Sequence, residues 1–174
     1  MTHLRRATIG LVNPKTPVNV GSVMRASGCY RVDSVFYTGQ RYALAAKASG
    51  QYNIDTQKAA KSIPLQGVES LLDAVPPGAK IVCVDLVVGA TPLPVFEHPD
   101  DAFYIFGPED GDIPQALIDV ADAVVYVPTV GCMNLAASVN VLLYDRLAKS
   151  TDVQADDELI KQSRNNNNRT QVKR

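Results

Sequence analysis

Five short apolar runs, rich in β-branched and aromatic residues and bounded by turn residues, punctuate this chain: RATIGLV (6–12), DSVFYT (33–38), AKIVCVDLV (79–87), DAFYIFG (101–107) and DAVVYVP (122–128). Their length and composition read as buried strands. Between them lie helix-like segments at about 20–30, 40–48, 67–74, 114–121 and 134–149. In the last of these, Leu135, Val139, Leu142, Leu143 and Leu147 share one face at helical spacing. Strand–helix alternation of this kind predicts an α/β fold with a mainly parallel sheet flanked by helices. A chain of 174 residues fits one domain with a substantial core. That domain is expected over residues 1–150, with a charged, flexible tail over 151–174.

Several classes of function drop out early. No apolar run is long enough to span a bilayer, and MTHLRRATIG lacks the apolar core of a signal peptide, so a cytoplasmic protein is expected. The three cysteines, Cys29, Cys83 and Cys132, are scattered and form no CxxC pair, which supports neither a zinc site nor a disulfide framework. With His3 and His98 as the only histidines, a His-based metal cluster or central base is poorly supplied, and no metal is expected. The glycines match neither a dinucleotide fingerprint nor a P-loop. The net charge of −1 conceals an acidic TDVQADDELI followed by a basic, Asn-rich KQSRNNNNRTQVKR. That terminus reads either as a disordered tail or as an arm for a polyanion.

In parallel sheets ligands gather at the carboxyl ends of strands. The rule directs attention to 13–19, 86–92, 107–113 and 128–134. NVGSVMR (19–25) offers Asn19 as a helix N-cap, Gly21 in the first turn, and Arg25 one turn further on the same face. Gly at that point costs about 1 kcal/mol against Ala, which suggests close packing, and the guanidinium below it makes a cationic notch suited to a phosphate or hydroxyl. FGPEDGDIP (106–114) is either a tight turn with a solvated acidic tip or a loop whose exposed amides meet a ligand. In VPTVGCMNLAASVN (127–140), Asn134 can cap the long final helix.

Taken in order, NVGSVMRAS, FGPEDGDIP and VPTVGCMNLAASVNVLLYDRL resemble the SpoU (TrmH-type) branch of the SPOUT superfamily, over about residues 8–149. These are RNA ribose 2′-O-methyltransferases that use S-adenosylmethionine. The resemblance implies a SPOUT-type α/β fold with a C-terminal deep trefoil knot, which periodicity could not reveal and general topology rules disfavour. It implies a homodimer, and RNA as substrate, with tRNA ahead of rRNA. It assigns Leu86, Gly107, Val127 and Met133 to the S-adenosylmethionine pocket. It assigns Arg25, Asn19, Glu109 and Asn134 to catalysis, with Glu109 orienting Arg25 and Arg25 engaging the target 2′-hydroxyl. Because a guanidinium almost never gives up its proton, a positioning and charge-stabilising role suits Arg25 better than that of a base.

Two departures stand out. The family's usual Ser-Leu-Asn is Cys-Met-Asn here, so Cys132 replaces the serine, and the loop from Pro128 to Asn134 is shorter than usual. Both are compatible with an alternative, an RNA-binding protein of the same fold with weak or no catalysis. The first motif begins too early for a preceding RNA-binding domain in this sequence, which turns attention to Arg5, Arg6, Arg41 and the tail from Lys161 as RNA contacts.

Overall fold

The computed structural model describes residues 6–49, 62–163 and 169–173; His3, Arg5 and Arg164 lie outside them. Seven parallel strands form the sheet: β1 (Ala7–Leu11), β2 (Ser34–Tyr37), β3 (Leu65–Gly67), β4 (Lys80–Val84), β5 (Thr91–Pro92), β6 (Ala102–Phe106) and β7 (Ala123–Tyr126). Their order is β3-β2-β1-β6-β4-β7-β5. The helices are α1 (Pro17–Cys29), α2 (Arg41–Ser49), α3 (Gln115–Val120), α4 (Leu135–Ala148) and α5 (Asp157–Ser163).

Side chains of the central strands alternate between two hydrophobic layers, as the two-residue period of a strand requires. Ile9, Leu11, Val82, Val84, Tyr104 and Phe106 meet α1 and α4 on one face. Cys83, Phe103 and Ile105 meet Leu117 and Ile118 of α3 on the other. Burying each large side chain of this kind contributes about 1.5–3 kcal/mol. Gly10 of β1 leaves room for an aromatic ring: a Cβ there would lie 2.7 Å from Phe103 Cε1.

All five expected strands are present, and both helices around the first and last motifs form. Three readings change. The 67–74 segment is not a helix: it comprises the end of β3 and a single 3-10 turn, Leu71–Ala74, whose start is capped by Ser70. The very short β3 and β5 were not expected, nor was α5 within the tail. Finally, α1 begins at Pro17, and Thr16, not Asn19, is its N-cap. Proline suits the first helical position, where its fixed φ is already helical and its missing N–H would have had no partner. Thr16 Oγ1 then accepts from Asn19 N at 3.3 Å, which leaves the Asn19 side chain free to work elsewhere and puts Gly21 in the second turn.

A polar clasp fixes the carboxyl end of α4. His98 bridges Tyr104 Oη (2.8 Å) and Asp145 Oδ2 (2.8 Å), and Lys149 Nζ reaches the same carboxylate oxygen at 2.8 Å. These partners match a neutral imidazole that donates through Nε2 to Asp145 and accepts at Nδ1 from the Tyr104 hydroxyl. Burial holds the His98 pKa below its ordinary value, although the hydrogen bond to Asp145 works in the opposite direction. Among the described residues no helix is long and apolar enough to cross a membrane.

Candidate active site

Because every strand runs the same way, the loops after β1, β4, β6 and β7 emerge at one edge of the sheet. The order β1-β6-β4-β7 sets them side by side. Between the last three lies a cavity of about 330 Å³ whose wall includes Leu86, Gly107, Val127 and Met133, all four residues expected to hold a cofactor. Leu86 leaves 50% of its surface exposed, although it forms part of this wall. Gly107 lets the chain close down on itself: a Cβ there would lie 3.3 Å from Ile113 N and 3.5 Å from Asp112 C.

Asp85, which sequence reasoning passed over, holds the two sides of the cavity together. Its Oδ2 accepts from Ile113 N at 3.0 Å and its Oδ1 from Leu86 N at 2.8 Å. An Asp at the end of a strand followed by a loop was the available signal. The sequence offers no indication that the second amide comes from 28 residues away.

The first-, second- and third-motif side chains meet beside this cavity. Asn134 Nδ2 donates to Asn19 Oδ1 at 3.0 Å, and Asn19 Nδ2 donates to Glu109 Oε1 at 3.1 Å. Glu109 also accepts from the backbone amides of Lys15 (2.9 Å) and Thr16 (3.4 Å), so it fastens the loop after β1 to the loop after β6. Asn134 keeps the capping role read from the sequence, its Oδ1 accepting from Ala136 N at 2.9 Å and Ala137 N at 3.3 Å. FGPEDGDIP is therefore more than a solvated acidic turn, because Glu109 is half-buried and fully engaged.

Burial alone would push the Glu109 carboxyl up, but its amide and side-chain donors outweigh burial and hold it below the ordinary glutamate range. A carboxyl lowered on folding stabilises the protein fully above its unfolded pKa, and this contribution disappears as pH falls through the folded value. Urea midpoints of the natural protein and Glu109→Gln should therefore differ at neutral pH and converge at acid pH. A gap that is the same at about pH 7 and about pH 3 would show that the ionised carboxylate contributes nothing.

Arg25 is placed differently from these three residues. It is exposed on α1, and among the described residues no hydrogen bond or ion pair engages it. Glu109 contacts Asn19 and the loop amides, not Arg25. Six residues of helix separate Arg25 from Asn19, about 9 Å along the axis and on another face. The guanidinium is thus free to meet an incoming group. Arg41, expected on charge alone to reach RNA, is instead paired with Asp110 through Nη1 (2.8 Å) and Nη2 (3.0 Å), and its Nη2 also donates to Asn13 O at 2.6 Å. Hydrogen bonding to Arg41 holds the Asp110 carboxyl below its ordinary range. Arg6, the other described member of that group, pairs with Asp101 at 3.2 Å at the amino ends of the strands, away from this edge. Cys132 is exposed on the cavity wall. Among the described residues no group of three or more His, Cys, Asp and Glu side chains could hold a metal ion.

The sequence matches the SpoU rRNA Methylase family over residues 6–144. The chain belongs to this family. Its fold is shared by solved structures at low sequence identity. A TrmH-family protein from Porphyromonas gingivalis superposes with a TM-score of 0.71 at 16% identity, over 86% of this chain and 62% of that one. The SpoU methyltransferase AviRb from Streptomyces viridochromogenes, solved in complex with AdoMet, gives 0.70 at 19% identity, over 84% of this chain and 58% of that one. A structure described for the 2-OH methylation of C/U34 on tRNA gives 0.65 at 19% identity, over 83% of this chain and 91% of that one. This SpoU-family chain thus spans 62% and 58% of the first two. No curated protein matches it.

Proposed function

We propose that this protein is an S-adenosylmethionine-dependent RNA methyltransferase that modifies a ribose 2′-hydroxyl of tRNA and works as a homodimer in the cytoplasm. The observation that carries the reading is the hydrogen-bonded chain Asn134–Asn19–Glu109 beside the cavity lined by Gly107, Val127 and Met133. Side chains 115 and 90 residues apart are brought into one network next to an open, partly apolar pocket, an arrangement a purely structural turn would not require. Family membership and an AdoMet-bound structural relative support the same reading.

The residues present fit the cofactor. Leu86, Val127 and Met133 supply apolar wall, and the absent side chain of Gly107 keeps the backbone of 112–113 within reach. When bound, S-adenosylmethionine supplies a methyl group activated by a sulfonium. The chain's own residues then have to orient the acceptor and stabilise its oxygen. Asn19 and Asn134 form a fixed polar edge to the site. Glu109 stays ionised but is already bonded to three donors, which suits holding loops rather than taking a proton. The Arg25 guanidinium stabilises negative charge as it develops on the 2′-oxygen, whose proton passes to solvent water. Alignment of the acceptor supplies much of the remaining acceleration. Residues 1–150 form the catalytic domain, including the trefoil threading of its C-terminal part, and 151–174 form a charged arm that adds RNA affinity.

The test is methyl transfer from labelled S-adenosylmethionine to bulk tRNA and, separately, rRNA, followed by digestion to nucleosides. Label in a 2′-O-methylated nucleoside from tRNA is the expected result. Label confined to a base would overturn the ribose assignment, and label only in rRNA would overturn the tRNA assignment. Cofactor and RNA binding without transfer would instead support an RNA-binding protein that has lost catalysis, the reading that Cys132 in the cavity wall favours.

A further inference from the structure

We infer that Arg41 is a positioning residue for the acceptor side of the site: it fixes the loop after β1 against the loop after β6, and thereby the placement of Glu109 and Asn19. The inference rests on the methyltransferase reading and names a residue that the three motif blocks do not contain.

Arg41 opens α2, on the connection that follows β2. Its planar guanidinium grips both oxygens of Asp110 and, through Nη2, the carbonyl of Asn13. Asp110 is the neighbour of Glu109, and Asn13 is two residues before Lys15, whose amide Glu109 accepts. Two bridges therefore join the same pair of loops, a direct one through Glu109 and a second through Arg41. Lys15 Nζ adds a longer contact to Asp110 at 3.8 Å.

The segment carrying Arg41 also grips Asn13 from other sides. Asn13 N donates to Thr38 Oγ1 at 3.2 Å. Gly39, at φ +76°, packs so closely that a Cβ there would collide with the Asn13 side chain. Asn13 itself sits at φ 41°, in the left-handed region uncommon for residues other than glycine. Such a backbone persists where its surroundings hold it. Thr38, Gly39 and Arg41 are those surroundings, and Arg41 alone among them also reaches the β6 loop.

The pair is partly solvated, with side-chain exposures of 34% for Arg41 and 46% for Asp110. An ion pair of that exposure adds little to global stability. The effect of removing it is therefore expected in geometry, and a displacement of about 1 Å at a reacting group can lower the rate about 100-fold. Lysine cannot replace the fork, because its single ammonium does not grip a carboxylate bidentately while also donating to a carbonyl.

The experiment compares the full-length natural protein with Arg41→Ala, Arg41→Lys, Asp110→Asn and the Arg41→Ala/Asp110→Asn pair. Lys80→Ala, which removes the exposed Lys80–Asp122 pair at the opposite edge of the sheet, is the control. Three readouts are taken: kcat and KM for transfer to tRNA, the dissociation constant of S-adenosylhomocysteine, and hydrogen exchange at the Lys15 and Thr16 amides. Arg41→Ala is expected to lower kcat about 100-fold with cofactor-product affinity held within about threefold, and Arg41→Lys to recover only part of the loss. The double variant should be no worse than the worse single one, as for two residues acting as a unit. Exchange at Lys15 and Thr16 should accelerate about tenfold in Arg41→Ala and stay unchanged in Lys80→Ala. Unchanged kcat with a raised KM for tRNA would overturn the inference in favour of a phosphate contact. Unaltered exchange at both amides would overturn it as well. If the natural protein transfers no methyl group to any RNA, the parent reading fails alone, and amide exchange still decides whether Arg41 positions these loops.

Discussion

Arg25→Ala is expected to abolish methyl transfer to tRNA while leaving S-adenosylhomocysteine binding intact. The residue is exposed on α1 and lies outside the wall of the cavity, so its removal opens no hole and strips no cofactor contact. Exposed substitutions of this kind usually change stability by no more than about 0.5 kcal/mol. A cation facing a developing oxyanion is another matter, because losing one such donor commonly lowers kcat by about 10²–10³-fold. The measurement is single-turnover transfer at saturating RNA, paired with calorimetry on the cofactor product. Arg25→Lys, which keeps the charge and loses the planar fork, should fall between the two. Transfer by Arg25→Ala within threefold of the natural protein would remove Arg25 from the mechanism. Full loss of cofactor-product binding would place it in the pocket instead.

The second large effect is expected at Gly107, in the opposite half of the site. Gly107→Val adds a branched side chain where even a Cβ would press on Ile113 N at 3.3 Å and Ile113 Cγ1 at 3.4 Å. The segment it presses on cannot easily move away, because Asp85 holds the Ile113 amide at 3.0 Å and Ile113 is 5% exposed. Overpacking of this kind typically costs about 1–3 kcal/mol. Where the added atoms occupy cofactor space, that corresponds to roughly a tenfold to hundredfold loss of affinity. Calorimetry with S-adenosylhomocysteine should show it, with the circular dichroism spectrum unchanged. Gly107→Ala should lie between the two forms. Undiminished affinity in Gly107→Val would mean that this cavity is not the cofactor site. The two variants thus separate the halves of the site: one is expected to lose transfer with binding kept, the other to lose binding first.

What could be read without coordinates was local. The five principal strands announce themselves because each is a short apolar run bounded by turn residues, and β6, AFYIF, is buried at every position. Asn134 at the start of α4 is legible because a helix start exposes free amides that an Asn side chain satisfies, and two such amides bond to it. The same logic does not locate the start of α1, since Thr16-Pro17 competes with Asn19 and wins through the fixed φ of proline. The strands β3 and β5 carry no usable pattern over three and two residues; their conformation comes from the neighbours they pair with.

The sequence by itself determined the class of fold and the family, through alternation of strand and helix and three ordered blocks, and the family match spans residues 6–144. It also determined which residue types stand ready at the ends of the strands. Only the tertiary structure decided which of them meet. Parallel strands are joined by long crossovers, so the neighbour of a strand is not written in its own side-chain period. Placing β6 against β1 brings Glu109 to Asn19 across 90 residues, and α4 delivers Asn134 to the same point across 115. The same arrangement turns Arg41 from an apparent surface cation into a link between two loops, and leaves Arg25 free on its helix.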